Sequence, residues 1–236
     1  MFGFLRRRSR EERFWKWFKA HSRSLFRFED DQERVFAQLD HQLKRVAQGL
    51  TFEFGPESDG RREFIISADG DKRFFPAVRR LAACAPHFQE WIIIPFRPPK
   101  DLQNYRSVRI DDIHLSVDDV WFSYVESDAK IDLEMFIRDL NAANREDLGA
   151  AAFLLLDIAL GEYVVETRVG GIAWHPLPAE PHAEGLLPLE RIVDVCERAG
   201  INELAKVRPA RDRSGHPGPP YFAATHVWNR SSSTAP

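Results

Sequence analysis

Cysteine is scarce in this chain, with only Cys84 and Cys196 among 236 residues. Each falls within an apolar helical pattern, so the sequence predicts neither a disulfide framework nor a Cys-based zinc site. This low cysteine content fits a protein in a reducing compartment best. Because Cys84 has apolar neighbours, we expect a buried, unreactive thiol there rather than a nucleophile paired with His87.

Long apolar segments are also missing. The longest uninterrupted run, at 150–156, is about a third of the roughly 20 residues that span a bilayer. Near the start, three arginines are followed by further charged residues where a secretory signal would need an apolar stretch. We therefore expect a cytoplasmic protein without a transmembrane segment.

The chain lacks the glycine patterns that bind nucleotides and the nucleophile elbow of serine hydrolases. Gly70 belongs to neither a phosphate-binding loop nor a dinucleotide fingerprint, and Gly170-Gly171 fits a turn better than a phosphate cradle. No cofactor is predicted, and a non-enzymatic role is favoured over catalysis.

Charge is distributed unevenly, although the net charge is only −3. Residues 1–27 hold nine Arg or Lys against two Glu, whereas residues 111–166 hold fourteen Asp or Glu against three Arg or Lys. A basic, aromatic arm thus precedes an acidic block. Either the two regions are solvated or docked faces of the fold, or one of them is a partner surface.

The periodicity predicts an α+β fold. Alternating apolar residues at 50–54 and 62–67, and again at 120–125 and 130–138, indicate two hairpins, and each is followed by a helix pattern and a further strand, at 91–96 and 163–169. We interpret 50–97 and 119–175 as two β-β-α-β units, an internal structural repeat, that form a mostly antiparallel sheet with helices packed on one side.

The predicted organisation has four parts. They are a basic aromatic arm or helix at 1–28, a first helix plus β-β-α-β unit at 29–110, a second unit with a C-terminal helix and strand at 111–228, and a tail at 229–236.

Several stretches resemble a group of bacterial cytoplasmic proteins that have no assigned activity. The resemblance extends over residues 12–175 and is carried by WKWF at 15–18, LTFEFG at 50–55, REFIISADG at 62–70, FPAV at 75–78 and LGEY at 160–163. It implies a bacterial cytoplasmic protein and no mechanism.

Two sets of residues are candidates for site chemistry. Asp69 and Asp71 lie at a strand-to-helix junction, where a carboxylate serves as a general base or as a turn and cap. His175, His182 and Glu184, with Glu180, gather potential metal ligands in a proline-rich loop, but their spacing matches no helical zinc motif, so no metal is predicted.

Candidate partner-binding residues come from the arm and the acidic block. They are Arg6, Arg7, Arg8, Arg13, Trp15, Trp17, Asp118, Asp119, Glu126 and Asp128. In the arm, basic side chains alternate with aromatic ones, which suits phosphates, an anionic membrane surface or a protein groove. Docking of the arm on the acidic body is the alternative.

The leading hypothesis is a non-enzymatic, immunity-type or adaptor protein that binds another protein, preferably a basic one, through an exposed sheet face or the acidic block. The first alternative is a hydrolase or transferase with an acid-base carboxylate site between the two units. The second is nucleic-acid or membrane-surface binding through the arm. The oligomeric state is left open.

Overall fold

The computed structural model describes residues 8–127, 129–200 and 222–223. The chain divides into two compact units, Met1–Pro95 with Gly218–Pro236, and Phe96–Pro217. We call them unit 1 and unit 2. The bounds predicted from the sequence, which divide the chain at residue 110, stay a prediction.

Unit 1 contains three α-helices and four strands in its described part. In chain order they are α1 (Arg10–Phe26), α2 (Gln32–Val46), β1 (Thr51–Ser58), β2 (Arg61–Ser67), α3 (Phe75–Ala83) and β3 (Trp91–Pro95), with the two-residue strand Phe222–Ala223 near the end of the chain.

Unit 2 contains six strands and three α-helices in its described part. They are β4 (Ser107–Ile110), β5 (Ile113–Ser116), β6 (Val120–Ser127), β7 (Lys130–Ile137), α4 (Arg145–Leu160), α5 (Glu162–Arg168), β8 (Val169–Pro176), β9 (Leu187–Pro188) and α6 (Ile192–Arg198). The strand Phe222–Ala223 of unit 1 is accordingly β10.

Helix α1 forms most of the predicted arm. Ser9 and Glu12 form a capping box, in which the Glu12 N–H donates to Ser9 Oγ at 3.0 Å and the Ser9 N–H donates to Glu12 Oε2 at 2.9 Å. The helix buries Phe14, Trp15 and Phe18. Trp15 Nε1 donates to the backbone oxygen of Leu81 at 2.8 Å. These contacts all lie within unit 1, so the burial of the aromatic side chains of the arm does not depend on the acidic block.

The sheet of unit 1 has the strand order β10-β1-β2-β3. Strands β1 and β2 are antiparallel, as predicted, and β3 runs parallel to β2. Asp59 and Gly60 turn the hairpin with φ of 52° and 70°, a left-handed pair that an Asp-Gly sequence favours. Phe52, Phe54 and Phe64 lie on one face of this sheet, where rings from α1 and α2 cover them.

The sheet of unit 2 has the order β9-β6-β7-β8. Strands β6 and β7 pair antiparallel from Val120↔Ile137 to Ser127↔Lys130, and β8 runs parallel to β7. The predicted hairpin is therefore present. Alternate residues of β6 and β7 enter a core shared with α4, α5 and α6, so these helices pack on one face of the sheet.

One predicted strand is wrong. The stretch 163–169 is mostly helix α5, and strand β8 begins only at Val169. Val164 and Val165 favour a strand by propensity. However, α4 ends at Leu160, and Gly161, with a φ of 78°, separates it from a new helix that buries both valines. Tertiary packing outweighs the local preference.

The α+β class is confirmed, and most strand pairs are antiparallel. The two four-stranded sheets have the same order and directions of strands, but within the described residues they are separate, so the expectation of one shared sheet is wrong. An internal repeat stays a prediction. Phe222–Ala223, expected to extend the second unit, pairs with β1 of unit 1 because β1 has a free edge opposite β2.

Candidate functional site

The partner-binding candidates of the arm are not all accessible. Arg6 and Arg7 lie outside the described residues. Arg8 and Arg13 are exposed, Trp17 is half-buried, and Trp15 is only 3 % exposed. Trp15 is therefore part of the core of unit 1, and only the cationic side of α1 is accessible to a partner.

The carboxylates proposed for acid-base chemistry serve the turn between β2 and α3. Asp71 Oδ1 accepts from the Arg73 N–H at 3.0 Å, and the same carboxylate forms an ion pair with the Arg73 guanidinium at 2.6 Å. Asp69 has a left-handed backbone with φ of 52°, and its N–H donates to Ser67 Oγ at 2.9 Å. This geometry fits the cap interpretation, and the catalytic role stays a prediction.

Two of the four acidic candidates are engaged locally. Asp118 pairs with Arg106, and Asp119 accepts from Arg138 Nε at 2.7 Å. Glu126 is exposed near the end of β6, while Asp128 lies outside the described residues. Paired carboxylates attract a cationic partner less, so charge density alone does not locate a binding surface here.

The candidate metal ligands are placed separately. His175 lies in β8 beside Glu134, whereas His182 and Glu184 are exposed in the following loop. Within the part of the chain that the structure describes, no group of three or more His, Cys, Asp or Glu side chains could hold a metal ion. The structure does bring both histidines near the same sheet, and this points to a different site.

That site is the face of the unit 2 sheet opposite the helices. Because side chains alternate along a strand, the residues between the core positions of β6 and β7 all point to this face. Its central members are Trp121, Val125, Asp132, Glu134, Phe136 and His175, and we call it the outer face. Among the described residues Val125 is the only exposed large hydrophobic side chain, at 65 %.

Aromatic and imidazole rings contact one another on the outer face. The ring centroids of His175 and Phe136 are 5.1 Å apart at 31°, and those of His182 and Trp121 are 4.5 Å apart at 85°. Trp121 and Phe136 are themselves opposite each other in the β6–β7 register and half-buried. Together the rings form a rigid amphipathic surface of the kind that is enriched at interfaces.

Carboxylates lie beside these rings. Glu134 contacts His175 Nε2, and its side chain is 51 % exposed. Asp132 Oδ1 accepts from the Gly171 N–H at 2.6 Å. A Cβ on Gly170 would lie 2.1 Å from the same oxygen, so the glycine leaves room for this contact. The Asp132 carboxylate is therefore fixed in position on the sheet.

A second polar cluster, which was not predicted from the sequence, is buried in unit 2. Arg97 Nε donates to Asp157 Oδ2 at 3.0 Å, and the Arg97 backbone N–H donates to Glu162 Oε2 at 3.1 Å. Burial raises the pKa of the Asp157 carboxyl, although Arg97 opposes that effect. The signal in the sequence is a lone carboxylate within the apolar stretch 148–160.

The buried cluster fits a structural role better than a binding role. Glu162 is 0 % exposed and Asp157 is 7 % exposed, so a ligand could not reach their carboxylates without opening the core. A backbone hydrogen bond joins the same two residues, because the Glu162 N–H donates to the Arg97 oxygen at 3.0 Å. The cluster joins the segment after β3 to the start of α5.

No single helix in the described residues is long and apolar enough to cross a membrane; only α4 and α5 taken together, across a bend of 108°, meet such a test by length and composition. The chain matches no protein-family model, no curated protein and no solved structure. The resemblance to bacterial proteins of unassigned activity therefore stays a prediction.

Proposed function

We propose that the chain is a non-enzymatic protein-binding protein and that the outer face of unit 2 binds a basic partner. The observation that carries this proposal is the exposed Val125 together with the half-buried rings of Trp121 and Phe136, on a sheet face that the helices of unit 2 leave open. Aromatic side chains on rigid strands supply contact area at little entropic cost.

The charges of the face favour an arginine-rich partner. Asp132, Glu134 and Glu126 stand on or beside the face, against Lys130 at its end. A guanidinium that lies over Trp121 or Phe136 gains a cation–π contact, worth about 0.5–2 kcal/mol. Glu134 lies on β7, two residues from Phe136, so the same guanidinium can also pair with its carboxylate. An arginine therefore meets both attractions.

The outer face is smaller than a standard protein–protein interface. Strands β6 and β7 each have eight residues, and eight residues extend for roughly 26 Å. The three eight-residue strands β6, β7 and β8 are about 10 Å across, which gives a flat area of roughly 250 Å². A standard interface buries about 800 Å² per partner, so a stable complex also uses the loops at the strand ends.

The experiment compares matched variants as bait in extracts of the native host. Trp121→Ala and Glu134→Lys change the outer face, whereas Asp194→Lys makes the same charge change at an exposed residue of α6 that is paired with Arg191. We expect one stoichiometric basic partner that is retained by the wild type and Asp194→Lys. Trp121→Ala should weaken binding by about 30-fold.

Two further readouts make the test specific. Binding should weaken as the salt concentration rises from about 0.05 to 0.3 M, since salt screens the attraction between the carboxylates and a basic partner. Hydrogen exchange in the purified complex should be slowed in β6 and β7. A partner that binds Trp121→Ala and Glu134→Lys as well as the wild type, or no partner at either salt concentration, would contradict the proposal.

A further inference from the structure

A separate cationic pocket lies in unit 1, between α1 and α2. Its cavity has a volume of about 230 Å³. Three arginines, a tryptophan and a glutamine supply its polar and aromatic walls: Arg10, Arg13, Trp17, Gln42 and Arg45. Phe14 and Val46 complete the lining.

The spacing of these residues explains why they converge. Arg10, Arg13 and Trp17 follow one another at three and four residues along α1, so they share one side of the helix. Gln42 and Arg45 are three residues apart on α2 and likewise share a side. Packing α1 against α2 then places both sides around one cavity.

The pocket contains no carboxylate of its own. Arg10 Nη1 donates to the Val46 oxygen at 3.4 Å, and Arg13 Nη1 donates to the Arg8 oxygen at 2.6 Å. Within the described ranges, neither these two arginines nor Arg45 has a carboxylate oxygen within 4.0 Å. Arg34, near the start of α2, is by contrast paired with Asp31.

Nearby acids and helix dipoles do not neutralise this charge. Glu11 pairs with Arg80 at 3.6 Å, and the Glu12 carboxylate accepts from the Ser9 N–H. Neither residue lines the pocket. The amino end of α1 and the carboxyl end of α2 carry opposite partial charges of about half a unit, which roughly cancel. Three like charges therefore converge on the cavity.

We infer that this pocket binds a phosphoryl group, either as inorganic phosphate or on a small phosphate ester. Guanidinium groups pair with phosphate oxygens through two parallel hydrogen bonds. A cavity of 230 Å³ is smaller than the roughly 300–1,000 Å³ of most ligand pockets, which suits a small anion or the charged end of a ligand. One face of the Trp17 ring is stacked on His21, with centroids 4.7 Å apart, so a base would stack on the opposite face.

Calorimetric titrations of the full chain with inorganic phosphate, AMP and adenosine at constant ionic strength test this inference. We expect phosphate and AMP to bind and adenosine not to bind. Tighter binding of AMP than of phosphate would identify an ester with a stacked base as the better ligand. Equal binding would identify the free anion.

The variants Arg13→Gln and Arg45→Gln should each weaken phosphate binding by about tenfold, because each loses a charge-assisted contact. Lys16→Gln is the matched control, since Lys16 is exposed on α1 outside the pocket lining. Circular dichroism checks that all three variants are folded. Phosphate and AMP binding no stronger than chloride, or equal losses in Lys16→Gln and Arg45→Gln, would overturn the inference. The outer face lies in unit 2, so this result is independent of the proposed function.

Discussion

Arg97 Nε lies 3.0 Å from Asp157 Oδ2, and the two side chains are only 14 % and 9 % exposed. The residues are sixty positions apart in the chain. Their pairing therefore connects the segment after β3 to the middle of unit 2, and it places a charged contact where the surrounding helix α4 is apolar.

We predict that Asp157→Ala lowers the free energy of unfolding by about 3–5 kcal/mol, because it removes a buried carboxylate that accepts a hydrogen bond from the Arg97 guanidinium. Urea unfolding followed by circular dichroism measures the change. Asp194→Ala is the control, since it removes a carboxylate from the exposed pair with Arg191 and should cost about 0–1 kcal/mol. Equal effects of the two substitutions would contradict a stabilising role for the buried pair.

The Asp157 carboxyl should also make stability depend on pH. Burial raises its pKa above the ordinary value of 3.8, so the folded state binds this proton more tightly than the unfolded state. Its contribution to stability is fully present below 3.8 and is lost as the pH rises through the raised pKa. The unfolding free energy of the wild type should fall relative to that of Asp157→Asn over this range. A constant difference between the two proteins across the pH series would refute the assignment.

Removing residues 1–27 should unfold unit 1 rather than release a dispensable arm. Phe14, Trp15 and Phe18 are almost fully buried, and truncation of one such side chain typically costs 3–5 kcal/mol. The single change Trp15→Ala should be destabilising by about that amount, whereas Lys16→Ala should remain within about 0.5 kcal/mol. Limited proteolysis and thermal melts distinguish these results. A truncated chain that resists protease like the wild type would argue that α1 is not part of the core.

Gly170→Ala should disturb the start of β8, because the new Cβ would lie 2.1 Å from Asp132 Oδ1. Because the exposed Asp132 carboxylate must rotate away and lose its hydrogen bond from the Gly171 N–H, we expect a loss of about 0.5–1.5 kcal/mol. Gly171→Ala is a close control, since its Cβ would meet the same oxygen at 3.6 Å, an ordinary contact. The double variant Gly170→Ala with Asp132→Ala should recover part of the loss. Identical melting curves for the two single variants would show that the carboxylate is not held where the structure places it.

The two cysteines should react with a thiol reagent at very different rates. Cys84 is exposed, contrary to the expectation from its apolar neighbours, because it follows the last residue of α3 rather than lying on its buried side. Cys196 is buried, and burial raises the pKa of its thiol to about 12. In the folded chain an aromatic disulfide reagent should modify one thiol rapidly and the second only after denaturation. Rapid modification of both would contradict the burial of α6.

Local patterns in the sequence were enough to predict both hairpins and helix α2. Strict alternation in β7 assigns its apolar residues to one face, and Asp59-Gly60 supplies the left-handed turn that joins β1 to β2. These features depend on neighbours a few residues apart, so the sequence contains nearly all the information that they need.

The outer face was only partly predictable. An exposed sheet face follows from the alternation, and His175 and His182 were singled out, but as metal ligands. Their actual neighbours, Phe136 and Trp121, come from other strands, and the pairing register decides which rings meet. No spacing along the chain reveals that register across a parallel pair.

What the sequence by itself determined is the α+β class, the hairpins and the basic character of α1. Only the tertiary structure decided that 163–168 is helical, that Trp15 is core, that Arg97 pairs with Asp157 and that three arginines surround one cavity. The physical reason is that periodicity assigns residues to a face, whereas the burial of that face depends on residues tens of positions away.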